Sequence, residues 1–393
     1  MSLRVLTIYG TRPEAIKVAP VIKAIDAAPD MTSIAVVTGQ HREMLDQVNA
    51  LFDLVPSHDM NIMHHGQGLN SMVAKVASGV DALISNEAPD VALVQGDTTT
   101  VMAAGIASFN RQIPLVHLEA GLRSGDLRSP FPEEANRKVA SALAALHLCP
   151  TSTSRANLLR EDIPSDDIVI TGNTVIDALF DVTKRAKSRD QQPRFMRALS
   201  EARNRPDSQL VLATAHRREN LGEGMRNIAM ALADLAKARS NLTIVFPVHR
   251  NPKVRETVLP ALEGIDNVYI IEPLSYDDFA HVLQLVDIVL TDSGGVQEEA
   301  PSLGKPVLVL RDNTERPEAV AYGTVKLVGT DRNRIFTEAS MLLDSNDAYR
   351  AMANAVNPYG DGKAAHRTVE AIRWKFIGGS RPRDFSPEIA GNR

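Results

Sequence analysis

Sulfur chemistry is nearly absent from this chain of 393 residues, because Cys149 is its only cysteine. An intramolecular disulfide is therefore excluded, and a reducing compartment fits. Placed after the run "AALHL", that thiol reads as a small buried hydrophobe. Long hydrophobic runs are missing too, since none approaches the roughly 18 residues a membrane helix needs. The N-terminal "MSLRVLTIYGTRPE" runs straight into a strand pattern, so no signal peptide is expected and a cytoplasmic protein is. Nor does either charge dominate: 43 basic residues stand against 48 acidic ones, a balance of −5. That argues against a general nucleic-acid binder or a polybasic membrane surface, while leaving room for a local basic pocket.

Several motifs are absent as well. No G-x-G-x-x-G follows a strand; the nearest match, "GEGMRN" at Gly222, is incomplete and reads as a loop, so a bound NAD is not expected. "LGKPV" resembles the tail of a P-loop, but Pro306 replaces the needed Ser or Thr, and no glycine stands five residues before Gly304. No His/Cys cluster has zinc spacing, and the adjacent His64 and His65 read as solvated. No G-x-S-x-G elbow occurs. Hydride transfer, nucleotide-driven phosphoryl transfer, zinc hydrolysis and serine hydrolysis all lose ground.

What is present is a strong α/β pattern. Apolar residues make up 44% and charged residues 23% of a chain long enough for two domains. Strands are expected at "RVLTIYG", "SIAVVTG", "DVALVQGD", "PLVHLEAG" and "DIVITGN", then at "QLVLATAH", "LTIVFPVH", "VYIIEPL", "DIVLTDSGG", "PVLVLRD" and "VKLVG". Their Val, Ile and Leu content shows little polar alternation, as in strands covered on both faces. Helix-length segments separate them, which is βαβ order and predicts parallel sheets with right-handed crossovers. The pattern breaks after about Gly172 into a charged, strand-free stretch and restarts at Leu210. The reading is α/β, with two Rossmann-like doubly wound parallel-sheet domains facing across a cleft: residues 1–172, then 173–362. "GKAAHRTVEAIRWKF" adds a helix near 363–378, and 379–393 reads as a loose tail. Doubly wound halves bind at strand C-terminal ends.

The polar residues collect at such ends. Arg12 and Lys17 lie between the first strand and the first helix, where Thr11 can cap and Pro13 suits a first turn. Asp97 ends "VQGD", and an ordinary helix N-cap would also explain it. Glu119 follows "PLVHL" directly; Glu133 and Glu134 open a later helix, where their charge also suits the dipole. Three carboxylates converging on one crevice would be costly, which favours acid/base work. His216 with Arg217 and Arg218, His249 with Arg250, and Glu315 with Arg316 end strands of the second half, and structural roles stay open for each. Ser293, Gly294 and Gly295 open a helix suited to phosphate, yet Glu298 and Glu299 follow within about a turn and a half.

Together, "GTRPEAIKVAPVI", "GQHREMLDQV", "GDTTT", "HLEAGLRSGDLRSPFPEEANR", "TGNTVIDAL", "HRREN", "PVHRNP" and "TDSGGVQEEAPSLGKPVLVLRDNTERPEAV" closely resemble the bacterial non-hydrolysing UDP-N-acetylglucosamine 2-epimerases. The resemblance runs from residue 3 to about residue 375. It implies the two-domain GT-B architecture, with the last helix packing back on the first domain, and interconversion of UDP-GlcNAc and UDP-ManNAc through elimination of UDP and a bound 2-acetamidoglucal, with no redox cofactor and no metal, which agrees with the missing motifs. By similarity, Asp97, Glu119 and Glu133 are the acid/base candidates, and His216 lies near the phosphates or assists proton transfer. Arg12, Lys17, Ser293, Gly294, Gly295 and Arg316 are implied as ligand contacts. Glu299 would grip the ribose and Phe279 the uracil. Gln40, Gln47 and His249 match regions associated with a second UDP-GlcNAc bound as activator, and a homodimer is implied. A hydrolysing epimerase, an epimerase of a modified UDP-sugar, a GT-B glycosyltransferase and a non-catalytic UDP-sugar sensor are the competing readings. The three acids weigh against the last two.

Overall fold

The apolar runs become parallel strands because helices cover the sheet faces, and the interiors of the central strands are accordingly buried without alternation. The structure, a computed structural model, describes residues 2–39, 42–62, 66–185 and 193–387. It divides into two compact units. One is Met1–Ala178 together with Tyr359–Ser386, and the other is Leu179–Pro358 with the described Pro387.

The first unit holds seven strands: β1 (Leu3–Tyr9), β2 (Met31–Val37), β3 (His58–Asp59), β4 (Val91–Gln95), β5 (Leu115–Leu118), β6 (Leu146–Cys149) and β7 (Ile168–Ile170). They are parallel and ordered β3-β2-β1-β4-β5-β6-β7. The order reverses between β1 and β4, and at such a switch point the two following loops splay apart and leave a crevice. The short β3 and β6 are additions to the expected strands, and both are too brief for a period to show. The helix Arg12–Asp26 begins as its sequence asks: Thr11 accepts from the Glu14 amide at 3.4 Å, and the Glu14 side chain accepts from the Thr11 amide at 2.7 Å.

The C-terminal residues belong to this unit. The helix Ala364–Phe376 is tied to it by Arg373, 2.6 and 2.8 Å from the Asp30 carboxylate, and by Asp177, which accepts from the amides of Ala364 and Ala365. The loose tail expected from 379 onward is not loose over its described part. Phe385 is buried and its amide donates to Ile170 O at 2.7 Å, while the Ile170 amide donates to Asp384 Oδ1 at 2.9 Å. Residues 379–387 therefore line the β7 edge, a tertiary pairing that local composition does not report.

The second unit holds β8 (Gln209–Thr214), β9 (Leu242–Pro247), β10 (Val268–Ile271), β11 (Ile288–Thr291), β12 (Val307–Val309) and β13 (Val325–Leu327). They too are parallel, ordered β10-β9-β8-β11-β12-β13, with the reversal between β8 and β11. A core of Leu, Ile, Val and Ala under the helices Glu223–Ala238 and Arg332–Asp344 covers one face. Among the described residues no helix is long and apolar enough to cross a membrane.

Candidate functional site

In the first unit the loops after β1 and β4 flank the switch point, and one buried carboxylate joins them. Glu14 accepts from the amides of Gly10 and Thr11 at 2.8 and 2.7 Å, and from the Thr98 hydroxyl at 2.6 Å. Burial pushes its carboxyl up, opposed by these hydrogen bonds. Gly10 has no room for a side chain, since a Cβ would run into the hydroxyl of Thr38 and come within 3.0 Å of that of Thr100.

Glu119 leaves β5 in a left-handed backbone conformation, φ 64°, which costs a non-glycine residue about 1–3 kcal/mol. The turn brings its carboxylate into a cradle. Lys17 lies 2.6 Å from both oxygens, Asn173 donates to Oε1 at 3.2 Å, and Gln95 donates to Oε2. Only 9% of the residue is exposed. Buried charge is tolerated when paired and hydrogen-bonded in this way. Arg12 opens the helix that carries Lys17.

Asp97 is not a helix cap: Thr98 occupies that position before the helix Thr99–Asn110. The Asp97 carboxylate instead pairs with Arg137 at 2.6 Å, and Asn136 donates to its carbonyl at 2.9 Å. Both partners sit on the helix Glu133–Leu143. The two glutamates that open this helix differ. Glu134 is fully buried, accepts from the amides of Ser124 and Gly125, and pairs with Arg137 at 3.0 Å; burial opposes its ionisation, but these partners hold it below the usual carboxylate range. Glu133 is half-buried, and its Oε2 is inaccessible with no hydrogen-bond partner. Thus Glu134 anchors the preceding loop, and Glu133 carries an unspent acceptor.

In the second unit the same topological position is built around Asp292. This wholly buried carboxylate follows β11 and accepts through Oδ2 from the amides of His216 and Arg217, each at 2.8 Å, and from Asn220 at 3.1 Å. Its Oδ1 lies 3.2 Å from His216 Nδ1. Burial raises the Asp292 carboxyl, but His216 and the two amides outweigh it and leave it lowered. The His216 ring stacks on His249, centroids 5.6 Å apart, and burial together with the neighbouring ring lowers the His249 imidazole.

The helix Gly294–Ser302 starts beside this pair with Ser293 as N-cap, its hydroxyl making no cap bond. Arg316 lies over Gly294 so closely that a Cβ there would come within 2.6 Å of Nη1; Gly295, one residue on, faces the Glu299 carboxylate. The guanidinium is held by the buried Glu298, Nε to Oε1 at 2.6 Å. Glu299 is also buried and accepts from the Tyr276 hydroxyl at 2.8 Å. Phe279 is half-buried on the helix Tyr276–Leu285. Glu315 is drawn to Arg311 at 2.9 Å; burial raises its carboxyl, but Arg311 brings it down to about 2.

Several of these residues escaped the sequence reading. Glu14 had a signal, the T-x-x-E capping box in "TRPE". Arg137, Asn173 and Asp292 lie inside motifs already quoted, and Asp292 follows an apolar run, whereas Gln95 and Tyr276 had no signal of their own. Gln47 is exposed on the helix Arg42–Leu51, while Gln40, His64 and His65 lie outside the described residues. No group of three metal-binding side chains occurs among the described residues.

Two parallel-sheet α/β units, each with polar residues collected at the reversal of its strand order, define a two-domain protein of the GT-B type. A family model described as UDP-N-acetylglucosamine 2-epimerase matches residues 23–373. The UDP-N-acetylglucosamine 2-epimerase of Escherichia coli K12 is 51% identical over 371 residues, 94% of this chain and 98% of that protein. That of Salmonella typhimurium is 48% identical over 378 residues, 94% and 98% of the two chains. A crystal structure of UDP-GlcNAc 2-epimerase from Neisseria meningitidis bound to UDP-GlcNAc superposes with a TM-score of 0.85 at 47% identity, covering 94% of this chain and 99% of that one. The chain belongs to the UDP-N-acetylglucosamine 2-epimerase family.

Proposed function

We propose that this chain is an isomerase that reversibly inverts C2 of UDP-N-acetylglucosamine to give UDP-N-acetylmannosamine. The observation that carries the reading is the Glu119 cradle, beside Asp97 on the neighbouring strand end and Glu133 with its unspent oxygen. A transferase needs one base, whereas inversion at carbon needs a proton taken from one face and returned to the other.

The C2 hydrogen of a sugar is not acidic, so its removal is coupled to departure of UDP. A carboxylate takes the proton, the C2–H electron pair forms the C1=C2 bond, and the C1–O bond breaks with its electrons leaving on UDP. The 2-acetamidoglucal stays bound. UDP oxygen then attacks C1 again, and C2 is protonated on its opposite face. Asp97, Glu119 and Glu133 share the acid and base duties, and Lys17 holds the Glu119 side chain in place. Arg12, Arg316, the amides of the Ser293–Gly294–Gly295 turn and the helix N-terminus meet the charge that develops on the diphosphate, with His216 beside it. Glu299 takes the ribose hydroxyls and Phe279 the uracil. The reaction is redox-neutral and consumes no co-substrate.

The protein works in the cytoplasm as a homodimer. A second UDP-GlcNAc acts as activator, with Gln40, Gln47 and His249 as the candidate residues and His249 stacked on His216; strictly hyperbolic kinetics in both directions would overturn this. The main test is incubation with UDP-GlcNAc in D2O followed by NMR. Deuterium at C2 with UDP-ManNAc accumulating is expected. Free ManNAc would mean hydrolysis instead, and no exchange at all would overturn epimerisation.

A further inference from the structure

We infer that Tyr276 is a positioning residue for ribose recognition, holding the Glu299 carboxylate in the one orientation that serves a sugar diol next to a diphosphate. The inference rests on the reading that Glu299 binds the ribose. A glutamate side chain has three rotatable bonds, and ordering it for binding costs entropy that must be met in advance or at the moment of binding. Here it is met in advance. The Tyr276 hydroxyl donates to Oε1 at 2.8 Å, and tyrosine and glutamate are both buried, at 7% and 6% exposure. A hydrogen bond to a carboxyl oxygen in such buried surroundings is strong and directional.

Its direction matters. Glu299 Oε2 lies 3.7 Å from where a Cβ on Gly295 would stand, so the carboxylate is turned back along its helix toward the first turn. A ligand whose phosphate sits on the amides of that turn would present its ribose next to this oxygen. Tyr276 also opens the helix Tyr276–Leu285, whose start is fixed by Ser275: its hydroxyl donates to Asp278 Oδ2 at 2.8 Å and accepts from the Asp278 amide. Phe279 follows three residues on, and positions i and i+3 share a helix face. One hydroxyl therefore links the ring-binding helix to the diol-binding one, so that base and sugar recognition are set together.

The test compares the dissociation constants of UDP and 2′-deoxy-UDP by calorimetry for the wild-type chain, Tyr276→Phe and Glu299→Gln. Wild type should prefer UDP by about 10–100-fold, and Tyr276→Phe should narrow that preference about tenfold while its affinity for 2′-deoxy-UDP stays within about twofold. Glu299→Gln should narrow it at least as far. If Glu299→Gln narrows the preference and Tyr276→Phe does not, the positioning role is overturned and the ribose reading stands. If Glu299→Gln leaves the preference intact, the ribose reading falls and the inference falls with it. If Tyr276→Phe weakens both ligands equally and lowers the melting temperature, the hydroxyl serves only the fold and the inference is overturned.

Discussion

At the switch point of the first sheet the side chains that converge are mainly carboxylates, and several have a cation beside them: Lys17 at Glu119, Arg137 at Asp97 and Glu134. At the switch point of the second sheet the assignment runs the other way. There two buried carboxylates are supports, with Asp292 fixing the backbone of His216 and Arg217 and Glu298 fixing Arg316. What faces outward is a helix N-terminus, an imidazole and a guanidinium. The two sheets use one topological device, and on the proposed reading the residues at the strand ends make one a proton-transfer site and the other an anion site. The prediction from the comparison is that damage to the first site lowers turnover, and damage to the second lowers nucleotide affinity.

The largest effect should come from removing an acid. Asp97→Asn, Glu119→Gln and Glu133→Gln should each lower kcat by roughly 10²–10⁴-fold, with UDP affinity nearly unchanged. Glu134→Gln, one residue from Glu133, should instead lower stability by about 1–3 kcal/mol, because it weakens acceptance from Ser124, Gly125 and Arg137. Steady-state rates read beside calorimetric UDP binding check this. A near-normal rate for Glu133→Gln, or a catalytic collapse of Glu134→Gln in a stable protein, would exchange the roles of the two.

Gly294→Ala should act on the other arm of the comparison. The added methyl would stand where the Arg316 guanidinium lies, 2.6 Å from Nη1 and 2.8 Å from Cζ. Arginine is flexible, so the fold yields by moving it, but movement breaks the contact with Glu298 and carries the positive charge off the helix start. A loss of about 2 kcal/mol in UDP binding is expected, with the proton-transfer residues untouched. Equal UDP affinity in the variant would show that Arg316 does not work through its place above Gly294.

How much of this was legible in the sequence follows from how far apart the partners are. All six strands of the second unit appear as apolar runs, and the helix start at Thr11 is written in four consecutive residues. The acids were visible because a polar residue directly after an apolar run marks a strand end. Their partners were not: Lys17 meets Glu119 across 102 positions, Asn173 across 54, and His216 meets Asp292 across 76. The capping explanation for Asp97 failed for the same reason, since its carboxylate answers to Arg137, 40 residues later. The apparent conflict in "SGGVQEE" also resolves only in three dimensions. Glu298 turns to Arg316, and Glu299 gives one oxygen to Tyr276 and turns the other toward Gly295, so the first carboxylate is spent on a cation and the second stands beside the turn where a ribose would follow the phosphate.

The smallest effect separates the units by pH. His117 and His147 pair across β5 and β6, and burial lowers their imidazoles from 6.5 to about 4 and about 3. Each is neutral in the fold and takes a proton only when unfolded. Their stabilisation is therefore complete above pH 6.5 and is lost as pH falls toward the folded values, by about 1 kcal/mol per histidine at pH 5.5. Asp177 works in the opposite sense, because burial raises its carboxyl to about 6 and its folded state gains on acidification below that pH. A total stability curve would mix the two, so the readout must be a difference. Urea unfolding at pH 7.5 and 5.5 should show His147→Leu losing about 1 kcal/mol less than wild type over that interval. His249 in the second unit has a shift of the same sign, but its exposed ring is screened, so removing it should leave the interval almost unchanged. Parallel losses in wild type and His147→Leu would show that the buried histidine is not the acid-labile element of the first unit.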